Sequence, residues 1–262
     1  MKGVGTNMGN NSMPVILGIV NITTDSFSDG GLYLEPDSAI QKSVQLIKDG
    51  AGIIDLGAAS SNIKTTAIEP AEEIRRLKPV IEYLKSKDIP VSIDTFNPEV
   101  QKYALEAGAD YINDIQGFPH PEIYPDLADS DAKLIVMYSV QHFGPATVVE
   151  TEPEQVFKDM MIFFEQRVSD LEKAGVSRDR IIIDPGMGFF LGSNPAVSIY
   201  ALKRIKIIFD FLQSVVVAPN ARNAHPIVIT QKRQQLYPTV TNLPCTPRHG
   251  QHLPNHEIRP AL

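Results

Sequence analysis

Short apolar, β-branched runs alternate with longer stretches in which apolar positions recur every three or four residues, and this alternation continues to about Leu212. It is the pattern of parallel strands joined by crossover helices. Strands are expected at Val15–Val20, Gly52–Leu56, Pro90–Ile93, Asp110–Ile112, Lys133–Val136 and Arg180–Ile183. Helical faces lie between them. Ile40, Val44 and Ile47 form the first. Ile74, Leu77, Ile81 and Leu84 form the second, with a kink expected at Pro79. Val100, Ala104 and Ala107 form a third that stops at Gly108, and residues 121–129 allow only a short helix. Val156, Met160, Phe163, Val168 and Leu171 make the longest stripe; Val197, Ala201, Ile205, Ile208 and Leu212 make the last. Six βα units in 262 residues predict an α/β fold of the TIM (β/α)8 barrel type, incomplete after the sixth unit.

Five of the six strands run into a polar residue at or just past the carboxyl end: Asn21, Asp55, Asp94, Asn113 with Asp114, and Asp184. Asp and Asn often follow strands merely as turn formers or helix caps. In a parallel barrel, however, these ends share one rim, and five of them together predict a single polar mouth. Two carboxylates and a carboxamide facing one cavity suit a flat heterocycle bearing amino and ring N–H donors, because ionised carboxylates only accept. Glycoside hydrolysis by a pair of acids is the rival reading, disfavoured by the absence of tryptophan.

Composition changes the picture at the far end. Residues 1–213 carry a balance of −11 and 16 of the 17 glycines, whereas residues 214–262 carry +4, 7 of the 20 prolines, 4 of the 6 histidines and the only cysteine. The expected organisation is a flexible extension over 1–13, the barrel portion over 14–212, and a Pro/His-rich tail over 213–262 in place of two βα units. A frameshifted or recombined end accounts for these shifts together. Cys245, His249, His252 and His256 have spacings within reach of one zinc ion, without a folded knuckle around them.

For the chain as a whole, 43% apolar content and a net charge of −7 predict a soluble globular protein without a general nucleic-acid surface. A lone cysteine allows no internal disulfide, which suits a reducing cytoplasm. The first 20 residues lack a secretory pattern, and no run of about 18 apolar residues offers a membrane span.

Two loops carry further candidate chemistry. N-I-T-T-D-S-F-S-D-G-G, Asn21 to Gly31, combines hydroxyls, acids and a double glycine suited to a phosphate or a metal-bound phosphate. D-L-G-A-A-S-S-N, Asp55 to Asn62, offers small residues and the adjacent hydroxyls of Ser60 and Ser61. No G-K-[ST] phosphate loop, dinucleotide fingerprint or Ser-His-Asp elbow is present.

Taken in order with S-I-D-T, Y-I-N-D-I-Q-G-F-P and I-D-P-G-M-G-F-F-L-G, these strings resemble dihydropteroate synthase over residues 15–211. S-S-N after the second strand and P-G-M-G-F-F-L-G after the sixth resemble its mobile, sulfonamide-insensitive branch. The resemblance implies an eight-stranded barrel that condenses 6-hydroxymethyl-7,8-dihydropterin pyrophosphate with p-aminobenzoate in folate biosynthesis. By position it implies that Asn21 helps hold magnesium pyrophosphate and that Asp25 stabilises positive charge on the pterin methylene. Asp94, Asn113 and Asp184 would hold the pterin edge, Met137 would line its pocket, and Ser60 and Ser61 would help close the p-aminobenzoate region. It implies Mg2+ as cofactor, small-molecule partners, a cytoplasmic location, no nucleic acid or membrane partner, and it leaves a homodimer open. The Phe189–Phe190 step is expected to narrow the p-aminobenzoate site against larger sulfonamides.

The chain departs from the family pattern in two places. Tyr138 stands where the family usually has histidine. The late S-R-K-S-F and R-T-H motifs have only Lys232 or Arg233 and His256 as stand-ins. A catalytically defective remnant and a pterin-binding methyltransfer domain are the alternatives.

Overall fold

A computed structural model describes residues 15–22, 36–59, 68–141, 151–214 and 227–228. The chain divides into two units, Met1–Lys232 and Arg233–Leu262, and every described residue belongs to the first. Its frame is a parallel sheet in the order β6-β5-β4-β3-β2-β1-β7. The strands are β1 (Val15–Asn21), β2 (Ile53–Gly57), β3 (Val91–Asp94), β4 (Tyr111–Asp114), β5 (Lys133–Met137), β6 (Ile181–Asp184) and the two-residue β7 (Ile227–Val228). The first six are the strands expected from the sequence, each within a residue or two at its ends. They curl into part of a barrel, and among the described residues β6 and β7 remain edges, so the ring does not close.

The helices are α1 (Pro36–Lys48), α2 (Pro70–Lys85), α3 (Pro98–Glu106), α4 (Tyr124–Asp129), α5 (Pro153–Lys173), α6 (Pro195–Lys203) and α7 (Ile205–Ser214). Five of them open on proline, where the missing N–H would have no intrahelical partner anyway. Asn97 and Asn194 cap α3 and α6 by accepting from the amides of Glu99 (2.9 Å) and Ala196 (3.0 Å). α2 continues through Pro79. The last apolar stripe, expected as one helix, is two: Arg204 leaves helical geometry at φ −112° and ψ 11°, and its guanidinium lies 3.4 Å from the centre of the Tyr200 ring.

The sheet buries both faces. Outward, Ile54, Leu56, Val91, Ile93, Ile112, Leu134 and Val136 pack against Leu77, Val80, Ile81 and Leu84 of α2, Val100 and Ala104 of α3, and Met160, Phe164 and Val168 of α5. Inward, a smaller cluster of Leu17, Ile53 and Ile135, with Val15, Tyr111 and Ile182 against it, fills the floor of the curve. Side chains alternate along a strand, so residues of one parity face inward and those of the other face the helices.

Candidate active site

Register decides which polar residues meet. Asn21 pairs with Gly57, Gly57 with Asp94, Asp94 with Asn113, and Asn113 with Ile135. Partners across parallel strands point the same way, and Ile135 belongs to the inner cluster. Asn21, Gly57, Asp94 and Asn113 therefore form one inward row, above the apolar floor. Met137 and Asp184 pair with each other on β5 and β6 with the same inward parity, two residues nearer the strand ends. The structure thus brings Asn21, Asp94, Asn113, Met137 and Asp184 to one concave wall. Asp25, Ser60 and Ser61 lie outside the described residues, as do Lys232, Arg233, Cys245, His249, His252 and His256.

Gly57 gives the row its gap. A Cβ there would stand 3.3 Å from Asn21 Oδ1 and 3.5 Å from Asp94 Oδ2, so the missing side chain leaves both oxygens facing one open spot.

One member, named among the strand-end residues, was given no role in holding a ligand. Asp55 pairs with Ser92 and sits one inward step below Gly57. It is 2% exposed. Its Oδ2 accepts from Asn113 Nδ2 at 3.2 Å across β3. That bond orients the Asn113 carboxamide and leaves Asn113 Oδ1, like Asp55 Oδ1, buried without a partner. Unpaired buried acceptors are costly and mark where a donor belongs. The sequence signal was parity: Asp55 precedes Gly57 by two residues and so shares its face.

Asp114, next to Asn113, points the other way. Its carboxylate accepts from Gln101 Nε2 of α3 (2.8 Å) and from the amide of Gln116 (2.7 Å), on the helix side. Tyr138 is also on that side, 3% exposed, with its ring edge-on to Phe163 and Phe164 at 5.4 and 6.3 Å. The exchange of histidine for tyrosine there falls on packing, not on the inner wall, and burial pushes the phenol up to about 12.

The wall is electrostatically loaded. Burial holds Asp94 well above the ordinary carboxylate range, and Asp55, Glu73, Asp114 and Asp184 add repulsion. Asp55 is raised by burial, partly offset by hydrogen bonding. Burial pushes Asp184 up to about 6 although the Gly186 amide donates to it at 2.8 Å. Gly186 makes that bond from φ +68°, with the Tyr138 carbonyl only 2.4 Å from where a Cβ would lie. The row itself holds no lysine, arginine or histidine. A wall of acceptors without a cation suits a flat ligand with several N–H donors or developing positive charge.

Among the described residues no group of three His, Cys, Asp or Glu side chains could hold a metal ion. Asn21 contributes one hard oxygen. That fits magnesium, which binds through one or two protein oxygens plus substrate phosphates and water, better than zinc.

Phe190 is half-buried in the turn after β6, where its carbonyl accepts from the Val140 amide (2.8 Å) and the Ser139 hydroxyl (3.4 Å). The turn is thereby pinned to the exit of β5. The side chain of Phe189 lies outside the description.

Comparison with known proteins places this geometry. The family described as pterin binding enzyme matches residues 17–230. Dihydropteroate synthase type-3 of Escherichia coli is 53% identical over 250 residues, covering 94% of this chain and 95% of that protein. Only 6% of the chain lies outside that match, which therefore runs well past Leu212. Dihydropteroate synthase type-2 of Escherichia coli is 47% identical over 203 residues, 76% of this chain and 74% of that protein. Among solved structures, the Xanthomonas albilineans dihydropteroate synthase in complex with 7,8-dihydropteroate aligns with a TM-score of 0.63 at 33% identity, over 76% of this chain and 69% of that one.

Proposed function

Because the chain belongs to the pterin binding enzyme family and, within it, to the dihydropteroate synthases, we propose that it joins 6-hydroxymethyl-7,8-dihydropterin pyrophosphate to p-aminobenzoate, releasing pyrophosphate. The bond between the pterin methylene carbon and the pyrophosphate oxygen breaks. The p-aminobenzoate amine forms the new C–N bond and loses a proton.

The observation that carries the reading is the inward row with its unsatisfied acceptors. Asp94 and Asp184 accept from the amino and ring N–H groups of the pterin. Asn113, its Nδ2 committed to Asp55, turns Oδ1 to the same edge, and Met137 closes one side of the slot. Asp55 acts as the brace that fixes which end of the amide faces the ligand. The same carboxylates favour positive charge on the pterin as the leaving group departs. Asn21, and by its place in the motif Asp25, are assigned to the pyrophosphate, where Mg2+ would supply charge neutralisation when bound. Ser60 and Ser61 help enclose p-aminobenzoate, and Phe190 narrows that subsite against sulfonamides.

A match to the type-3 synthase that extends past Leu212 supports a working enzyme over a remnant. Presence of the Asn21–Gly31 motif supports the synthase over a methyltransfer domain. Among the described residues no helix is long and apolar enough to cross a membrane. The test is pyrophosphate release by the purified chain. Release that requires both p-aminobenzoate and Mg2+ is the expected result. Release independent of p-aminobenzoate, or none from well-folded protein, overturns the reading.

A further inference from the structure

At the outer side of the strand ends, one buried cation touches the roots of two loops, one that the synthase reading assigns to pyrophosphate and one that it assigns to p-aminobenzoate. Arg76 of α2 has a side chain only 10% exposed. Its Nη1 donates to the carbonyl of Ala58 at 3.3 Å and to that of Ile22 at 3.5 Å. Its Nε donates to Glu72 Oε1 at 2.7 Å, which fixes the plane of the guanidinium. The carbonyls it reaches belong to the first residues past β1 and β2, where the sheet ladder has run out. Ile22 is itself stitched to β2, its amide donating to the Gly57 carbonyl at 2.7 Å. Ile22 and Ala58 are 1% and 0% exposed, so water offers these carbonyls no substitute.

We infer that Arg76 is a positioning residue for the condensation: by tying the carbonyls of Ile22 and Ala58 to α2, it fixes Asn21 relative to Gly57, the gap onto which Asp94 also opens. Asn21 immediately precedes Ile22, and Gly57 immediately precedes Ala58. Asn21 Oδ1 and Asp94 Oδ2 both stand within 3.5 Å of the point where a Gly57 Cβ would be. The pyrophosphate holder Asn21 and the Gly57 gap that it shares with Asp94 are therefore set by two short backbone segments that a single guanidinium spans. A lysine could supply charge but not the fork that reaches Glu72 and two carbonyls together. Neighbouring Arg75 pairs with the same Glu72 at 2.7 Å yet is 72% exposed and reaches neither carbonyl. This inference rests on the synthase reading for the role of Asn21, but the tie itself does not.

The full chain carrying Arg76→Met, Arg76→Lys or Arg75→Ala separates these points. In Arg76→Met the Ile22 amide is expected to exchange with deuterium about tenfold faster, as the β1 end opens locally. Its kcat is expected to fall about tenfold or more, as remote misplacement does, with a several-fold rise in the Mg2+ concentration for half-maximal rate. Affinity for 6-hydroxymethylpterin, which lacks the pyrophosphate, is expected to stay within about twofold, since the Asp94, Asn113 and Asp184 wall is untouched. Arg76→Lys should fall between, and Arg75→Ala should match the parent protein. Unchanged Ile22 exchange in Arg76→Met overturns the tie. So does a loss of pterin affinity as large as the loss of kcat, which marks general damage. Should Arg76→Met fail to fold, Arg76→Lys decides: parental exchange and parental Mg2+ dependence overturn the proposal, and an intermediate value of each supports it. If the parent chain makes no product, the synthase reading fails by itself, while Ile22 exchange still decides the tie.

Discussion

Asn113 and Asp114 stand next to each other in β4, yet the first faces the interior of the curved sheet and the second faces the helices. On the helix side Asp114 is 0% exposed and both carboxylate oxygens are bonded, to Gln101 and to the Gln116 amide. On the inner side Asn113 Oδ1 is buried without a partner, whereas Asp55 has the Ser92 hydroxyl beside it. Asp114 is satisfied within the protein, and its neighbour Asn113 is not. Burial and charge are similar on the two sides. What separates structure from function here is whether the hydrogen-bond count closes.

This contrast can be broken by substitution. On the inner face, Asp94→Asn is expected to reduce kcat/KM by about 10²-fold, given about 1.5–3 kcal/mol for each hydrogen bond to a charged group. Its ligand-free melting temperature should hold or rise, because Asp94 is repelled by Asp55, Glu73, Asp114 and Asp184. Steady-state kinetics beside thermal melts checks both, and a large melting loss with intact kinetics would dissolve the distinction. On the outer face, Asp114→Ala is expected to lower stability by about 2 kcal/mol, leaving two buried donors unpaired. Activity per folded molecule should change by less than about twofold, read by denaturant titration alongside the rate.

Smaller effects sharpen the picture. Phe190→Gly is expected to strengthen sulfonamide inhibition about tenfold, the scale of one apolar contact in a pocket; unchanged inhibition removes Phe190 from the p-aminobenzoate subsite. The mildest test is pH. Asp114 and Asp184 are pushed up to about 6 from an ordinary 3.8. Between those values the native state holds protons the unfolded chain has released, so their contribution to stability grows as pH falls from 7 towards 4. Pterin affinity should move oppositely, weakening as pH drops through about 6 and Asp184 loses its charge. Melts and pterin titrations at pH 5 and 7 that rise together would contradict the assignment of Asp184 to the ligand face.

Strand positions were legible because parallel strands buried on both faces read as short apolar runs. Asp94, Asn113 and Asp184 were legible because they end such runs. Asp55 was legible as a polar strand end but not as the partner of Asn113, because it lies two residues inside β2, where only cross-strand register shows that the two meet. Asp114 could not be separated from Asn113 without the pleat. The division between α6 and α7 escaped because the apolar stripe continues through Arg204 while the backbone does not. Arg76 gave no signal of its own: a charged residue on an amphipathic helix reads as solvent-facing until the carbonyls of Ile22 and Ala58 are found beneath it.

The strand order has one more consequence. From β1 to β6 each strand lies beside the one that precedes it in the chain. Synthesis proceeds from the N-terminus, and a domain generally folds as a unit once its segments are out. Each new strand therefore emerges after the neighbour it pairs with, and the inward row becomes available in the order Asn21, Gly57, Asp94, Asn113. Asp184 arrives last, on an edge. For a nascent chain the residues of the inner wall therefore leave the ribosome in the order in which they stand side by side in the sheet.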